Sequence, residues 1–258
     1  MMNIAYAAEE GGIAIHLSAP VLGHFFGIPL TSTLVMVWFV MSVLVIFAIY
    51  FGKTLKMVPG RGQVIVETLI GGTYDYMADA FESKEHAKKF FPLIMTIFIF
   101  ILSLNWIGLI PGVDSIGIFK ELHGEHALVP FLHPANTDLN VTIALAVIAF
   151  VSIELSGILF LGLFKYGGKF INFSSPLNFL IGIIELFSEL ARLISFSFRL
   201  FGNIFAGKTL IVIAIFFVPF VLPVPLLAFE MFVGFIQAFI FAVLTLFFIK
   251  LAIAQPEH

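Results

Sequence analysis

The chain has no cysteine, so disulfides and thiolate metal sites are excluded and the redox compartment leaves no mark on it. Charge is scarce as well. Asp, Glu, Lys and Arg make up 11% of the 258 residues, where a soluble domain carries about 25%; 60% are hydrophobic and the mean hydropathy is +1.11. These values exclude an ordinary soluble domain and describe an integral membrane protein. No His-Glu-x-x-His, Gly-x-Ser-x-Gly or phosphate-cradling glycine loop occurs, so neither an intramembrane enzyme nor a nucleotide site is read, and no nucleic-acid partner is expected. An Ala-Tyr-Ala near the start mimics a cleavage site, but no basic segment or apolar core precedes it, and no cleaved signal is read.

What is present is a series of apolar runs. Leu30 to Phe51, Phe90 to Ile110 and Leu139 to Phe164 each have roughly the 20 residues that a bilayer crossing needs. Between the first two, Val64, Ile65, Leu69, Met77 and Phe81 alternate with Glu67, Asp75 and Asp79, which predicts an amphipathic helix over 62–81 lying on the membrane surface. From Pro176 to Pro219 no proline interrupts the pattern. A helix there would be about 63 Å long, twice the roughly 30 Å of hydrocarbon, so it must tilt steeply, bend or break, with Gly202 and Gly207 as bend points. Pro219, Pro223 and Pro225 enforce a turn, and Leu226 to Ala254 comes back. The predicted fold class is an all-α integral membrane protein. It has about five membrane helices plus one surface amphipathic helix, the last two forming a long, strongly tilted hairpin over 176–254, all in one membrane domain.

Lysine and arginine give an orientation. None precedes Lys53; Lys53, Lys56 and Arg61 follow the first span and Lys84, Lys88 and Lys89 precede the second. By the positive-inside rule this segment is cytoplasmic, and the N-terminal segment 1–29 and the loop from Pro111 to Asp138 are external. Lys165, Lys169 and Lys250 place the later loop and the C-terminus inside.

The long helix also carries a polar stripe. Glu185, Glu189, Arg192, Arg199 and Asn203 recur at steps of three, four and seven, which puts all five within about ±40° of one line, with Ser188 and Ser195 at its border. Phe187, Leu190, Ile194, Phe198, Phe201 and Phe205 fall on the other side. Each ionisable group at the bilayer centre costs roughly 2.5–3.5 kcal/mol, so the stripe must be paired or line a wet path. Arg192 reads as a partner of Glu185 or Glu189, with a second functional arginine as the alternative. On the returning helix Glu230 and Gln237 lie seven apart, with Gly234 between them allowing close approach. Glu154, in the third span with Ser156, is a buried carboxylate that is functional or bonded to a neighbouring helix, and Asn105 is a channel residue or interhelical glue. His123, His126 and His133 sit in a polar loop without cysteine or a helical ligand pair, and no metal site is read.

Ser197-Phe-Arg-Leu-Phe-Gly-Asn-Ile-Phe-Ala-Gly207 resembles the signature of subunit a of the rotary F-type ATP synthase. Asn105-Trp-Ile-Gly-Leu-Ile-Pro111, Thr137-Asp-Leu-Asn-Val-Thr142 and Gln237-Ala-Phe-Ile-Phe-Ala-Val-Leu-Thr245 resemble the family in the same order, from about residue 90 to the end. The resemblance implies a non-catalytic stator in a bacterial inner membrane. Its partners would be the c-subunit ring, b-type subunits of the peripheral stalk and lipid, with no cofactor and with H⁺ ahead of Na⁺ as the ion. It places Arg199 opposite the carboxylate of a passing c subunit, Glu185 and Ser188 in the outlet half-channel on the cytoplasmic side, and Asn203, Glu230 and Gln237 in the inlet half-channel. Two positions depart from the pattern. Lys208 stands where relatives often carry an acidic residue or histidine and is expected to pair with Glu230. Gly108 stands where relatives carry a carboxylate, leaving Asp114 or Asp138 as external acceptors. The alternative is a secondary proton-coupled transporter, but no matching halves or paired broken helices are visible.

Overall fold

A computed structural model describes residues 19–25, 27–122, 125–170 and 175–254. Seven helices dominate it: α1 (Ser32–Thr54), α2 (Arg61–Phe81), α3 (Lys84–Gly108), α4 (Leu139–Leu161), α5 (Leu163–Gly167), α6 (Pro176–Phe217) and α7 (Pro223–Ile253). Five of them, α1, α3, α4, α6 and α7, are long and apolar enough to cross a membrane. The protein is an all-α integral membrane protein.

Local chemistry sets the helix ends. Pro176 and Pro223 occupy the first positions of α6 and α7, where a missing N–H costs nothing. α2 ends at Glu82, whose left-handed backbone (φ 54°) lets its N–H reach the Asp79 carbonyl at 3.1 Å while Ser83 N–H bonds Ala78. α4 starts after Asp138, whose Oδ1 accepts the backbone N–H of Asn140 at 2.9 Å. α6 is one uninterrupted helix through Gly202 and Gly207, so it does not break at either.

Two short antiparallel hairpins were not expected. β1 (Val21–Phe25) pairs with β2 (Ile28–Thr31), and β3 (Gly117–Leu122) pairs with β4 (Glu125–Pro130) in the register Gly117↔Pro130 to Leu122↔Glu125. The second lies within the loop read as polar and external between α3 and α4. Ile118, Phe119, Leu128 and Val129 supply its strand-forming residues.

The described residues form two compact units. One takes the described parts of Met1–Leu44, Phe100–Ile143 and Ser197–Ala238. Its buried residues include Met36, Val40, Ile101, Leu104, Leu200 and Ile204. Here α1 is tied down at its start: Ser32 Oγ donates to the Pro130 carbonyl, and Thr33 Oγ1 donates to Asp138 Oδ2 at 2.8 Å. The other unit takes the described parts of Val45–Ile99, Ala144–Phe196 and Phe239–His258. Its core joins Met77 and Phe81 of α2, Phe90 and Ile94 of α3, Ile153 of α4, Tyr166 of α5, and Leu246 and Ile249 of α7. The amphipathic face of α2 is thus split: Met77, Ala78 and Phe81 are buried, whereas Val64, Ile65 and Leu69 are exposed.

Candidate functional site

The polar residues singled out in the sequence divide between the two units. In the first, α6 from Ser197 onward and α7 up to Ala238 form an antiparallel hairpin closed by residues 218–222. Gln237 is 4% exposed and is the hub of the hairpin. Its amide Nε2 donates to the backbone carbonyl of Arg199, and its Oε1 accepts from Asn203 Nδ2 at 2.7 Å. Arg199, Asn203 and Gln237 are therefore brought together, with the arginine side chain half-buried. Glu230 lies two turns earlier on α7, 4% exposed, and directly over Gly207 of α6. A Cβ at position 207 would fall 2.0 Å from the Glu230 carboxyl, so only glycine leaves the carboxylate where it is.

Behind this seam runs a chain of amides. Asn105 Nδ2 of α3 donates to the Gly234 carbonyl at 2.9 Å, and Asn105 Oδ1 accepts from Asn136 Nδ2 at 2.6 Å. Trp106 Nε1 donates to the Met231 carbonyl at 3.0 Å. Asn136 is 1% exposed, and its own Oδ1 has no hydrogen-bond partner among the described residues. It borders a cavity of about 230 Å³ lined by Leu104, Asn105, Gly108, Asp114, Pro134, Thr137, Ile204, Lys208 and neighbouring apolar side chains. Asn105 is therefore both glue between helices and a wall of this cavity.

Lys208 does not pair with Glu230. Its ammonium donates to Asp114 Oδ2 at 2.9 Å and lies 3.2 Å from His133 Nε2, while His133 Nδ1 meets Asp114 Oδ1 at 3.0 Å. The correction is one of reach: Lys208 points toward the loop after α3, where Asp114 offers a charged acceptor. Glu230 is left without an ion-pair partner among the described residues. Burial pushes the Asp114 carboxyl up, but the hydrogen bond with His133 and the charge of Lys208 outweigh it, and the group sits below its ordinary value of 3.8. A carboxyl depressed in the folded state stabilises the fold at pH above its ordinary value, and that contribution is lost as pH falls through the folded value. Asp114→Asn is accordingly expected to make acid unfolding shallower below about pH 4, measured by the fluorescence of Trp106. The change is expected to be modest, because the carboxylate is partly exposed and solvent screens it. Asp138, the other external candidate, is committed to Thr33 and to the start of α4. Of the two carboxylates, Asp114 is the one on the cavity.

The second unit gathers the charges at the start of α6. Lys169 Nζ bonds Glu185 Oε1 at 2.6 Å and lies 3.8 Å from Glu189 Oε1, while Arg192 bonds Glu189 and stacks its guanidinium 3.7 Å from the centroid of the Phe248 ring. Glu189 is 3% exposed. Of the two partners expected for Arg192, Glu189 is the one found. Ser188 is exposed. Glu154 accepts the Tyr166 hydroxyl at 3.0 Å, with its other oxygen buried and unpartnered among the described residues. Burial, reinforced by the Glu154 charge and hydrogen bond, pushes the Tyr166 phenol up. No group of three or more His, Cys, Asp or Glu able to hold a metal ion occurs among the described residues; His123 lies outside them, as does the side chain of His126.

Comparison with known proteins decides the class. The family model "ATP synthase A chain" matches residues 34–250. The chain belongs to this family. It is 35% identical over 217 residues to ATP synthase subunit a of Geotalea daltonii, covering 83% of each chain. It is 32% identical over 234 residues to that of Moorella thermoacetica, covering 91% of this chain and 96% of the relative. A third relative, the "ATP synthase subunit a, sodium ion specific" of Propionigenium modestum, is 32% identical over 237 residues, covering 90% of this chain and 78% of the relative. Membership makes the chain a non-catalytic, multi-pass membrane subunit of ATP synthase with the family's ion-translocating stator role, and it removes the secondary-transporter alternative. Sequence reading found the residues of the α6–α7 seam by their spacing. It did not give the pairings of His133, Asn136, Lys169 and Tyr166, because a loop or a turn between helices, rather than the period of one helix, brings each to its partner.

Proposed function

We propose that this member of the subunit a family conducts protons through two half-channels, one at each unit, and couples their passage to rotation of a c-subunit ring through Arg199. The observation that carries the reading is the Gln237 hub. One amide holds the backbone of Arg199 and the side chain of Asn203, and the buried carboxyl of Glu230 lies on the same hairpin. Asn203 and Gln237 hold water without ionising, and Glu230 takes up and releases protons. These three residues form the inlet, reached from outside. Glu185 and Ser188, with the ion pairs around Lys169, form the outlet to the cytoplasm. The guanidinium of Arg199 stays charged at any accessible pH. It attracts an ionised ring carboxylate, lowers that group's pKa so that its proton leaves on the outlet side, and repels a proton that would pass directly between the half-channels.

The chain then lies in a bacterial inner membrane with its N-terminus outside and its C-terminus in the cytoplasm, held by b-type peripheral-stalk subunits. The test is ATP-driven proton pumping in vesicles carrying the assembled complex. Glu230→Gln and Glu185→Gln are each expected to slow pumping about a hundredfold or more, the lower end of the effect typical of losing one positioned proton-transfer group. Full pumping in both variants would remove the assignment of the half-channels.

A further inference from the structure

Resting on that reading of the outlet, we propose that Glu154 is its proton-holding residue: a carboxyl that keeps one resident proton and gives it to the cytoplasm as Glu185 takes the next from the ring. The second unit gathers three carboxyls, Glu154, Glu185 and Glu189, with two cations, Lys169 and Arg192. Lys169 bonds Glu185 at 2.6 Å and Arg192 bonds Glu189, so two negative charges are matched by two positive ones. Glu154 is the third carboxyl. The charged side chains that act on it are Glu189 and Arg192 of α6 and Lys169, which follows α5. The partner it has among the described residues is instead the neutral Tyr166 hydroxyl. A proton is the counter-charge that this cluster lacks.

Local structure is built around that contact. Gly157 lies one turn after Glu154 on α4, and a Cβ there would run into the Tyr166 ring, so the glycine opens the notch through which the phenol reaches the carboxyl. Tyr166 is 3% exposed. Burial, then the charge and hydrogen bond of Glu154, push the phenol up, so it keeps its hydrogen and donates it to Glu154 Oε2 at 3.0 Å. The other oxygen, Oε1, is buried without a partner among the described residues and is the atom that takes the proton.

The cycle balances. A hydronium delivered from the ring gives its proton to Glu185 and becomes water, and neutral Glu185 no longer holds Lys169. The long Lys169 side chain, whose ammonium lies 5.9 Å from the centre of the Tyr166 ring, turns toward Glu154. Glu154, itself partly exposed, then gives its proton to a water on the cytoplasmic side, and the ammonium holds the anion. When the proton on Glu185 passes through water to Oε1, Lys169 returns to Glu185, while Arg192 has stayed with Glu189 throughout. One proton has crossed, and at each resting stage the three carboxyls share one proton between them.

The experiment is ATP-driven proton pumping by the assembled complex in vesicles, with complex yield and thermal unfolding measured for each variant. Glutamine at position 154 keeps the shape and still accepts the Tyr166 hydroxyl but takes no proton; aspartate is one methylene shorter but takes one. Pumping is expected to fall about a hundredfold in Glu154→Gln, the lower end of the effect of a positioned proton-transfer group, and to stand about tenfold above that in Glu154→Asp. A purely structural hydrogen bond gives the reverse order, with the isosteric glutamine better than the short aspartate. Wild-type pumping in Glu154→Gln overturns the proposal, as does Glu154→Asp no better than Glu154→Gln at equal complex yield. Glu185→Gln run alongside separates the two levels. If it loses pumping while Glu154→Gln pumps normally, only the role of Glu154 is wrong; if both pump normally, the outlet reading falls too.

Discussion

Arg199→Ala is expected to abolish ATP-driven proton pumping, at least about a hundredfold, with the amount of assembled complex unchanged. A preorganised charge removed from the centre of such a step typically costs that much. Gln237 holds the backbone carbonyl at this position, and that contact survives the substitution. Arg199→Lys is expected to be nearly as damaging. An ammonium loses its proton more readily than a guanidinium when water is withdrawn, and the barrier depends on the charge. Arg192→Ala makes the internal comparison. That arginine is spent on Glu189 and on the Phe248 ring. Its loss should lower stability by about 1–3 kcal/mol, the cost of leaving a buried acceptor poorly satisfied, while most pumping is retained, since Lys169 still stands near Glu189. The pair is read by vesicle acidification together with thermal unfolding of the purified complex.

Gly207→Ala is expected to separate function from stability in the other direction. Within a helix, alanine is favoured over glycine by roughly 0.8–1.0 kcal/mol, so α6 itself should be no weaker. The new Cβ would lie 2.0 Å from the Glu230 carboxyl, which is the far end of a flexible side chain and must swing away. A displacement of about an ångström in a positioned group can cost on the order of a hundredfold, and pumping is expected to fall between ten- and a hundredfold. Unfolding temperature and complex yield should stay at the wild-type level. Pumping at the wild-type rate would mean that the position of the Glu230 carboxyl is not critical to the inlet.

How far the sequence reaches is clear from these same residues. Glu185, Arg199 and Asn203 announce themselves because a helix repeats every 3.6 residues and charges are rare in an apolar run, so spacing alone puts them on one stripe. Gln237 is visible for the same reason, as the polar partner of Glu230 seven residues away. The partner of Lys208 is not visible, since Asp114 lies 94 positions earlier in the chain and only the folded first unit brings the two together. His133 reads in the sequence as one of three loop histidines, and only folding brings it to Asp114. Lys169 served as a topological marker, yet it is the partner that holds Glu185. The β3–β4 hairpin escaped because its short strands carry a weak pattern beside the long apolar helices. Periodic features of one helix are legible; pairs made by tertiary folding are not.

The absence of cysteine makes the most direct test of the central claim possible, because a single introduced cysteine is then the only thiol on the chain. The measurement is the reaction of a water-soluble, membrane-impermeant thiol reagent with Asn203→Cys, Gln237→Cys, Ser188→Cys and Glu185→Cys in sealed vesicles of the assembled complex. Two half-channels separated by Arg199 predict that positions 203 and 237 react only with reagent on the external side, and 185 and 188 only with reagent on the cytoplasmic side. Labelling of all four from one side would show a single continuous path and contradict the account.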